Sequence, residues 1–247
     1  MSPDFTLTAA DYLRHRRPFP KELFARLRRF GLGAPGQTIL DIGAGTGSFS
    51  DPLSANGCRV ICGDVSEALL STGRSNPAVV ARAESLPFAS DQFDAVTAAQ
   101  CWHWFDRRVA PAEIHRVLRP DGVLVVAYQM HVPLPGSVAE ATEKLILRYR
   151  PAWRHANSAG INGQVLRDMQ AHRLSGIESF SFDVAESYSH EDWRGFIRTT
   201  SAVGPSMPDE MLARFDLDHA AMLVDWPEPL QIPHRIFAAI SYKSGQH

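Results

Sequence analysis

The stretch Ile39-Leu40-Asp41-Ile42-Gly43-Ala44-Gly45-Thr46-Gly47 decides the fold of this chain. Thr38, Ile39 and Leu40 are the apolar or β-branched start of a short buried strand. An acidic residue follows near its end, and glycines then fall on alternate positions. A backbone without Cβ atoms turns tightly and lets a ligand lie almost against the main chain. A strand turning into a helix here leaves unpaired N–H groups at the helix start. Together these features describe a nucleotide-type site at the carboxyl end of a strand in an α/β sheet.

The spacing narrows the ligand. A dinucleotide fingerprint needs its third glycine at the sixth position, where pyrophosphate meets the helix N-terminus. Counted from Gly43 that position is Ser48, which speaks against an NAD-dependent oxidoreductase. Asp41 stands two residues before the first glycine, and a carboxylate aimed at the turn repels pyrophosphate but suits an ammonium group. Asp64 closes the next apolar strand, Arg59-Val60-Ile61-Cys62-Gly63, about 20 residues after the first glycine, as expected of a carboxylate on ribose hydroxyls. The ligand so described is an adenosine with a cationic amino-acid end and no phosphates.

With these motifs the chain resembles the class I S-adenosylmethionine-dependent methyltransferases. ILDIGAGTG is similar to the first motif of that family, and CGDVSEALL to its second strand with the ribose-binding acid. ARAESLPF resembles the segment beside adenine, FDAVTAAQCWHWFD the fourth strand with its following turn, and LRPDGVLVVA the turn into the fifth strand. A lone GxGxG is weak; five segments in order and at the right spacing are strong. The resemblance implies S-adenosyl-L-methionine as cofactor and S-adenosyl-L-homocysteine as product. It places the cofactor against Asp41, Gly43, Ala44 and Gly45, against Asp64 and Val65, against Ala83 and Glu84, and against Gln100.

Length and composition agree with one soluble α/β domain. The chain has 247 residues, 45% of them hydrophobic, and a formal net charge of −2, so no electrostatic footprint for nucleic acid is visible. Neither a signal-peptide pattern nor an apolar run long enough to span a membrane is present, and a cytoplasmic location is expected. Cys58, Cys62 and Cys101 lack metal-ligand spacing, which favours reduced thiols and no metal site.

The expected fold is Rossmann-like and doubly wound: a mostly parallel seven-stranded sheet with helices on both faces and a helical cap insertion. Leu23, Phe24, Leu27 and Phe30 mark a first helix over 20–30, stopped by Gly31 and Gly33. Strands follow near 37–42, 59–64, 78–81, 93–99 and 122–130. Ala110, Ile114, Val117 and Leu118 give a one-faced helix ended by Arg119-Pro120-Asp121-Gly122. The last two strands are Ile177–Tyr188 and Leu230–Tyr242, with helices near 190–200 and 208–223 between them. The expected division of the single domain is an arm at 1–20, a core at 21–130 and 177–247, and a cap over about 131–176.

Two unusual clusters flank the core motifs. Tyr12-Leu13-Arg14-His15-Arg16-Arg17-Pro18-Phe19-Pro20 resembles the Tyr…Arg-Pro-x-Tyr-Pro stretch of a methyltransferase subgroup that includes trans-aconitate methyltransferases, with Phe19 in place of the second Tyr. There the Arg17 guanidinium would pair with the methionyl carboxylate of the cofactor and Tyr12 would close over it; the bland reading is a solvated basic arm. Gln100-Cys101-Trp102-His103-Trp104-Phe105 is similar to a Gln-x-x-His-Trp-Phe stretch of the same subgroup. Trp102 and Trp104 read either as walls of an acceptor pocket or as core packing. His103 reads as a general base, a hydrogen-bond donor to substrate, or a turn histidine. Arg82 stands where many relatives carry an adenine-binding Asp, and an arginine cannot accept that bond. Adenine would then rely on the backbone of Ala83 and Glu84 or on the Glu84 side chain.

The reading reached is a methyltransferase acting on a small molecule, with a carboxylate or another oxygen nucleophile as acceptor. A C-methyltransferase on a natural-product or quinone-like precursor, or a non-catalytic S-adenosylmethionine-binding protein, are the alternatives. Arg148, Arg150, Arg154 and His155 either attract an anionic acceptor or form a solvated helix face. Neither nucleic acid nor membrane is expected as partner, and the sequence leaves monomer and homodimer open.

Overall fold

The computed structural model describes residues 14–72, 75–172 and 174–244. Its sheet has seven strands in the order β3-β2-β1-β4-β5-β7-β6. They are β1 Thr38–Ile42, β2 Arg59–Asp64, β3 Ala78–Val80, β4 Phe93–Ala99, β5 Leu118–His131, β6 Leu174–Tyr188 and β7 Leu230–Lys243. β1 pairs in parallel with β2 and with β4, β2 with β3, and β4 with β5. Strands buried on both faces read as continuous apolar runs, and Val123 through Tyr128 are all buried. β6, at an edge, instead alternates between exposed and half-buried positions along most of its length.

The helices are α1 Lys21–Leu27, α2 Ser50–Ala55, α3 Glu67–Leu70, α4 Ala110–Val117, α5 Val138–Tyr149, α6 Gly163–Ala171, α7 His190–Arg198 and α8 Asp209–Leu223. Their starts follow from local chemistry. Ser66, Ser137, Asn162 and Ser189 each accept a backbone N–H of the first turn they cap. Pro111 occupies the first turn of α4, where a missing N–H costs nothing, and Ala110, Ile114 and Val117 bury one face.

One boundary differs from expectation. Arg119–Gly122 is not a turn ahead of β5 but a bulge within it: Leu118 already pairs with Phe93, and the next partners are Ala95 and Val123. The backbone reverses there through Asp121, at φ 61°, and Gly122, where a Cβ would lie 2.8 Å from the Arg119 carbonyl oxygen.

The chain folds into two compact units. The first contains residues 18–129, 162–181 and the stretch from 236 onward. It is built on β1 to β4 and on the greater part of β5 and β7, with Leu23, Leu27, Ile114 and Val117 packed in its core. The second contains residues 14–17, 130–161 and 182–235. Its core joins α5, α7 and α8 through Leu145, Ile146, Trp193, Ile197, Phe215 and Leu223. These limits differ from the expected cap at 131–176. Residues 162–181 belong to the first unit because α6 buries Val165 and Met169 there and Asp168 accepts the Trp102 indole N–H at 3.0 Å. Residues 182–235 join α5 in the second unit, where Trp193 donates to Thr142 and His219 lies 3.2 Å from the same hydroxyl.

Candidate functional site

The glycine turn after β1 divides its labour between packing and open space. Gly43 and Gly45 have φ of 67° and 52°, a left-handed backbone that L side chains rarely adopt. A Cβ on Gly43 would sit 2.6 Å from Cys101 Cβ, whereas one on Gly45 would meet no described residue within 4 Å. The first glycine is therefore required by the protein itself, and the second opens a cradle at the strand end. Gly43 N and Ala44 N both donate to the Gly63 carbonyl, at 2.7 and 3.1 Å, which fastens the turn to β2.

Asp41 corrects an expectation. Its carboxylate is buried and accepts hydrogen bonds from Ser50 Oγ and, at 2.7 Å, from Thr97 Oγ1. A buried carboxylate needs such donors, and the neighbouring elements supply them, so it braces the turn from within instead of pointing out of it. Its charge is still felt. Burial, then Asp41 and Asp64, push the Cys101 thiol well above the usual range, and its Sγ donates to the Ile42 carbonyl at 3.0 Å. All three cysteines are buried and outside any disulfide.

Asp64 ends β2 beside the open glycine. Oδ2 accepts from Gly45 N at 2.8 Å and Oδ1 from Ser66 N at 2.9 Å. Val65, the next residue, is 61% exposed, an apolar surface of the kind a flat aromatic base covers. Ala83 is buried. Glu84 Oε1 accepts Asp106 N at 2.7 Å and Oε2 lies 3.4 Å from Arg82 Nε, tying the segment after β3 to the loop after β4. Gln100 has φ 61° and donates through Nε2 to the Gln129 carbonyl at 2.5 Å, closing the end of β4 onto β5.

The aromatic turn splits into a buried and an open part. Trp102, only 1% exposed, is a core side chain held by Asp168, so it does not offer an open wall as the acceptor-pocket reading required. Trp104 is half-buried and His103 exposed, their ring centroids 4.3 Å apart. His103 Nδ1 lies 3.3 Å from the hydroxyl of Tyr128, a buried β5 residue whose ionisation burial pushes far above the ordinary tyrosine range.

The described arm residues 14–17 belong to the second unit. Arg17 Nη2 donates to the Ser187 carbonyl at 2.7 Å, and its guanidinium stands 4.5 Å over the Tyr188 ring. Arg16 is likewise placed, donating to Thr199 Oγ1 at 2.8 Å and lying over Phe196. Arg16 and Arg17 are thus not purely solvated. Tyr12 lies outside the described residues. Arg150 donates to the Ala202 carbonyl, while Arg148, Arg154 and His155 are exposed.

Comparison with known proteins fits this geometry. Residues 40–126 match a family described as a methyltransferase domain. An uncharacterized methyltransferase of Mycobacterium tuberculosis is 34% identical over 147 residues, 58% of this chain and 59% of its own length. A demethylmenaquinone methyltransferase of Clavibacter sepedonicus is 34% identical over 142 residues, 50% of this chain and 58% of its own length. The chain thus spans under two thirds of each of these relatives. Among solved structures, a presumed type II methyltransferase from Anaeromyxobacter dehalogenans superposes with a TM-score of 0.65 at 23% identity, covering 94% of this chain and 99% of the other. This is a methyltransferase fold.

Within this methyltransferase fold, the first unit brings Gly43, Ala44, Gly45, Asp64 and Val65 together at the carboxyl ends of two neighbouring parallel strands. Ala83, Glu84, Gln100, Trp102, His103 and Trp104 follow strands of the same unit, and Arg17 belongs to the other. Tyr128, 3.3 Å from His103 Nδ1, escaped sequence reading; a phenol ending the apolar run Val123–Ala127 was its signal. No helix among the described residues is long and apolar enough to cross a membrane.

Proposed function

We propose that this protein is an S-adenosylmethionine-dependent methyltransferase that delivers a methyl group to a small molecule, through a carboxylate or another oxygen nucleophile of the acceptor. The observation that carries the reading is the pairing of Gly45 with Asp64. A left-handed glycine whose added Cβ would meet no described residue within 4 Å stands at one strand end, and a carboxylate stands at the adjacent one. These residues fit the cofactor. The glycine admits a ligand against the main chain, Asp64 can accept from two ribose hydroxyls, and exposed Val65 suits an adenine face. Ala83 and Glu84 would complete the adenine side, and Gln100 would support the turn.

The cofactor, when bound, supplies an electrophilic methyl on a sulfonium that is its own leaving group. What remains for the protein is to align the acceptor at near-attack distance and keep water out. His103 and Trp104 would hold the acceptor. A carboxylate acceptor, with a pKa of about 4, is ionised at neutral pH and needs no base. A second reading, carbon methylation of a quinone-like precursor, is favoured by the similarity to the demethylmenaquinone methyltransferase and would require a base.

The test is incubation with methyl-labelled S-adenosylmethionine and a metabolite extract, followed by mass spectrometry. A labelled methyl gain on an oxygen of an extract component supports the reading, and a gain on carbon supports the second. Binding without any transfer would make the chain a cofactor-binding protein and overturn both.

A further inference from the structure

At the end of its sheet away from the glycine turn, the first unit carries a cleft of about 460 Å³, a size typical of small-molecule sites. Its walls are the loop 30–37 ahead of β1, the β5 bulge, and Tyr242 near the end of β7. Gln37 leads into β1 and Gly43 follows it, so five strand residues, about 16 Å of extended chain, separate the cleft from the turn. The loop is pinned from within. Gln37 Oε1 accepts Gly33 N at 2.8 Å and Ala34 N at 2.9 Å, and Nε2 donates to the Gly31 carbonyl at 2.6 Å. Two rings supply an apolar wall. Phe30 stacks on Phe180 with centroids 5.8 Å apart, and Tyr242 donates its hydroxyl to the Phe30 carbonyl at 3.3 Å. Two charged side chains come from the bulge, a device that re-aims side chains next to functional sites. Arg119 uses Nη1 for Asp94 Oδ1, at 2.5 Å, and Asp94 Oδ2 is taken by Thr38 N at 2.7 Å. The Nε–Nη2 edge of Arg119 is shaped to hold a carboxylate by two parallel bonds. That edge has no partner among the described residues, and neither has the exposed Asp121 carboxylate.

We propose that this cleft is a second ligand site, one that binds a free α-amino acid with an aromatic side chain. The ligand's carboxylate lies on the Arg119 edge, its ammonium on Asp121, and its ring against Phe30 and Tyr242. Charge decides between ligand classes. A simple carboxylate would bring a further negative charge beside Asp94 and Asp121, and a simple amine would leave the Arg119 edge unused. A zwitterion meets both charged groups, which stand two positions apart in one bulge, and the rings take its apolar end. The pinned loop leaves little ordering to be done on binding. This site is independent of the glycine turn and of methyl transfer.

The test is 1H–15N correlation NMR on the full chain without cofactor, titrated with L-phenylalanine, phenylacetate, phenethylamine and glycine. Phenylalanine should move the backbone amides of Gly31, Gly36 and Gly122 saturably, with a dissociation constant of about 1 mM or tighter. Phenylacetate lacks the ammonium, phenethylamine the carboxylate and glycine the ring, so each should bind at least about 5-fold more weakly. Arg119→Gln should weaken phenylalanine by a similar factor and leave phenethylamine unchanged. Asp121→Asn keeps a side chain that tolerates the left-handed backbone, and it should weaken phenylalanine while leaving phenylacetate no weaker. Should Arg119→Gln fail to fold, Asp121→Asn and the four-ligand series still decide. Amides that stay put at ten times the expected dissociation constant, or that respond equally to phenylacetate or phenethylamine, overturn the proposal. Shifts confined to Gly43 and Gly45 overturn it as well, because they put the amino acid in the glycine turn.

Discussion

Asp64 Oδ2 accepts a 2.8 Å hydrogen bond from the backbone N–H of Gly45, so the acid ending β2 and the middle glycine of the turn form one bonded unit. The same carboxylate takes Ser66 N through its other oxygen. Its role is therefore double: it sets the turn and would carry the ribose. A hydrogen bond to a charged group is worth about 1.5–3 kcal/mol, so Asp64→Ala should weaken S-adenosylhomocysteine binding about 10- to 150-fold. It should also lower folding stability by about 1–3 kcal/mol through the two stranded N–H groups. Calorimetry and urea unfolding read the two effects; wild-type affinity in a folded variant would remove Asp64 from the site.

Gly43 and Gly45 should fail in different ways. Gly43→Ala drives a Cβ into Cys101 at a left-handed position, and overpacking and strain cost about 1–3 kcal/mol each. Its main symptom is a lowered melting temperature. The Cβ of Gly45→Val meets no described residue within 4 Å, so its main structural cost is the left-handed one of roughly 1–2 kcal/mol, but the side chain fills the space a ligand needs. Its main symptom is lost cofactor binding in a folded protein. Tight binding by folded Gly45→Val would mean the open space is not the ligand site.

Trp102→Phe tests the core assignment of that side chain. The change keeps most of the ring volume but leaves Asp168 without its indole donor, at a cost of about 1–3 kcal/mol. Trp102→Ala should cost about 3–5 kcal/mol. Methyl incorporation per folded molecule should change little with Phe. A large selective loss of incorporation at unchanged stability would return Trp102 to the acceptor pocket.

Two buried histidines predict an acid sensitivity. His219 and His234 are fully buried, and burial holds both pKa values down at about 3. The folded state keeps them neutral while the unfolded chain protonates them below about 6.5, so their stability contribution is present above that pH and lost as pH falls toward about 3. At about 1.4 kcal/mol per pH unit for each group, moving from pH 7.5 to pH 5 removes about 2 kcal/mol per histidine. Urea midpoints at the two pH values check this, and a His219→Gln/His234→Gln double variant should flatten the dependence. Equal slopes in wild type and double variant would exclude these groups as the cause.

The strands were legible because β1, β2 and β4 bury most of both faces and announce themselves as apolar runs, β1 followed by Gly43 and β2 ended by Asp64. Asp64 was legible through its spacing from Gly43. Asp41 was not, because sequence shows a carboxylate beside the turn but not that Ser50 and Thr97 are folded against it. Trp102 and Trp104 look alike in sequence; only packing with α6 separates a buried indole from a half-open one. The Tyr128–His103 contact joins residues 25 apart on different elements, a distance no local pattern reports. The grouping of residues 182–235 with α5 was illegible for the same reason: Thr142 and Trp193 meet through tertiary contacts across 51 positions.

The central claim, that the glycine turn is an S-adenosylmethionine site, is tested most directly by calorimetric titration of the purified protein with S-adenosylhomocysteine and, in parallel, with NADH. Saturable one-to-one binding of S-adenosylhomocysteine and no heat from NADH are expected, since Ser48 stands where a dinucleotide turn needs glycine. Saturable NADH binding, or no binding of S-adenosylhomocysteine by folded protein, would contradict it.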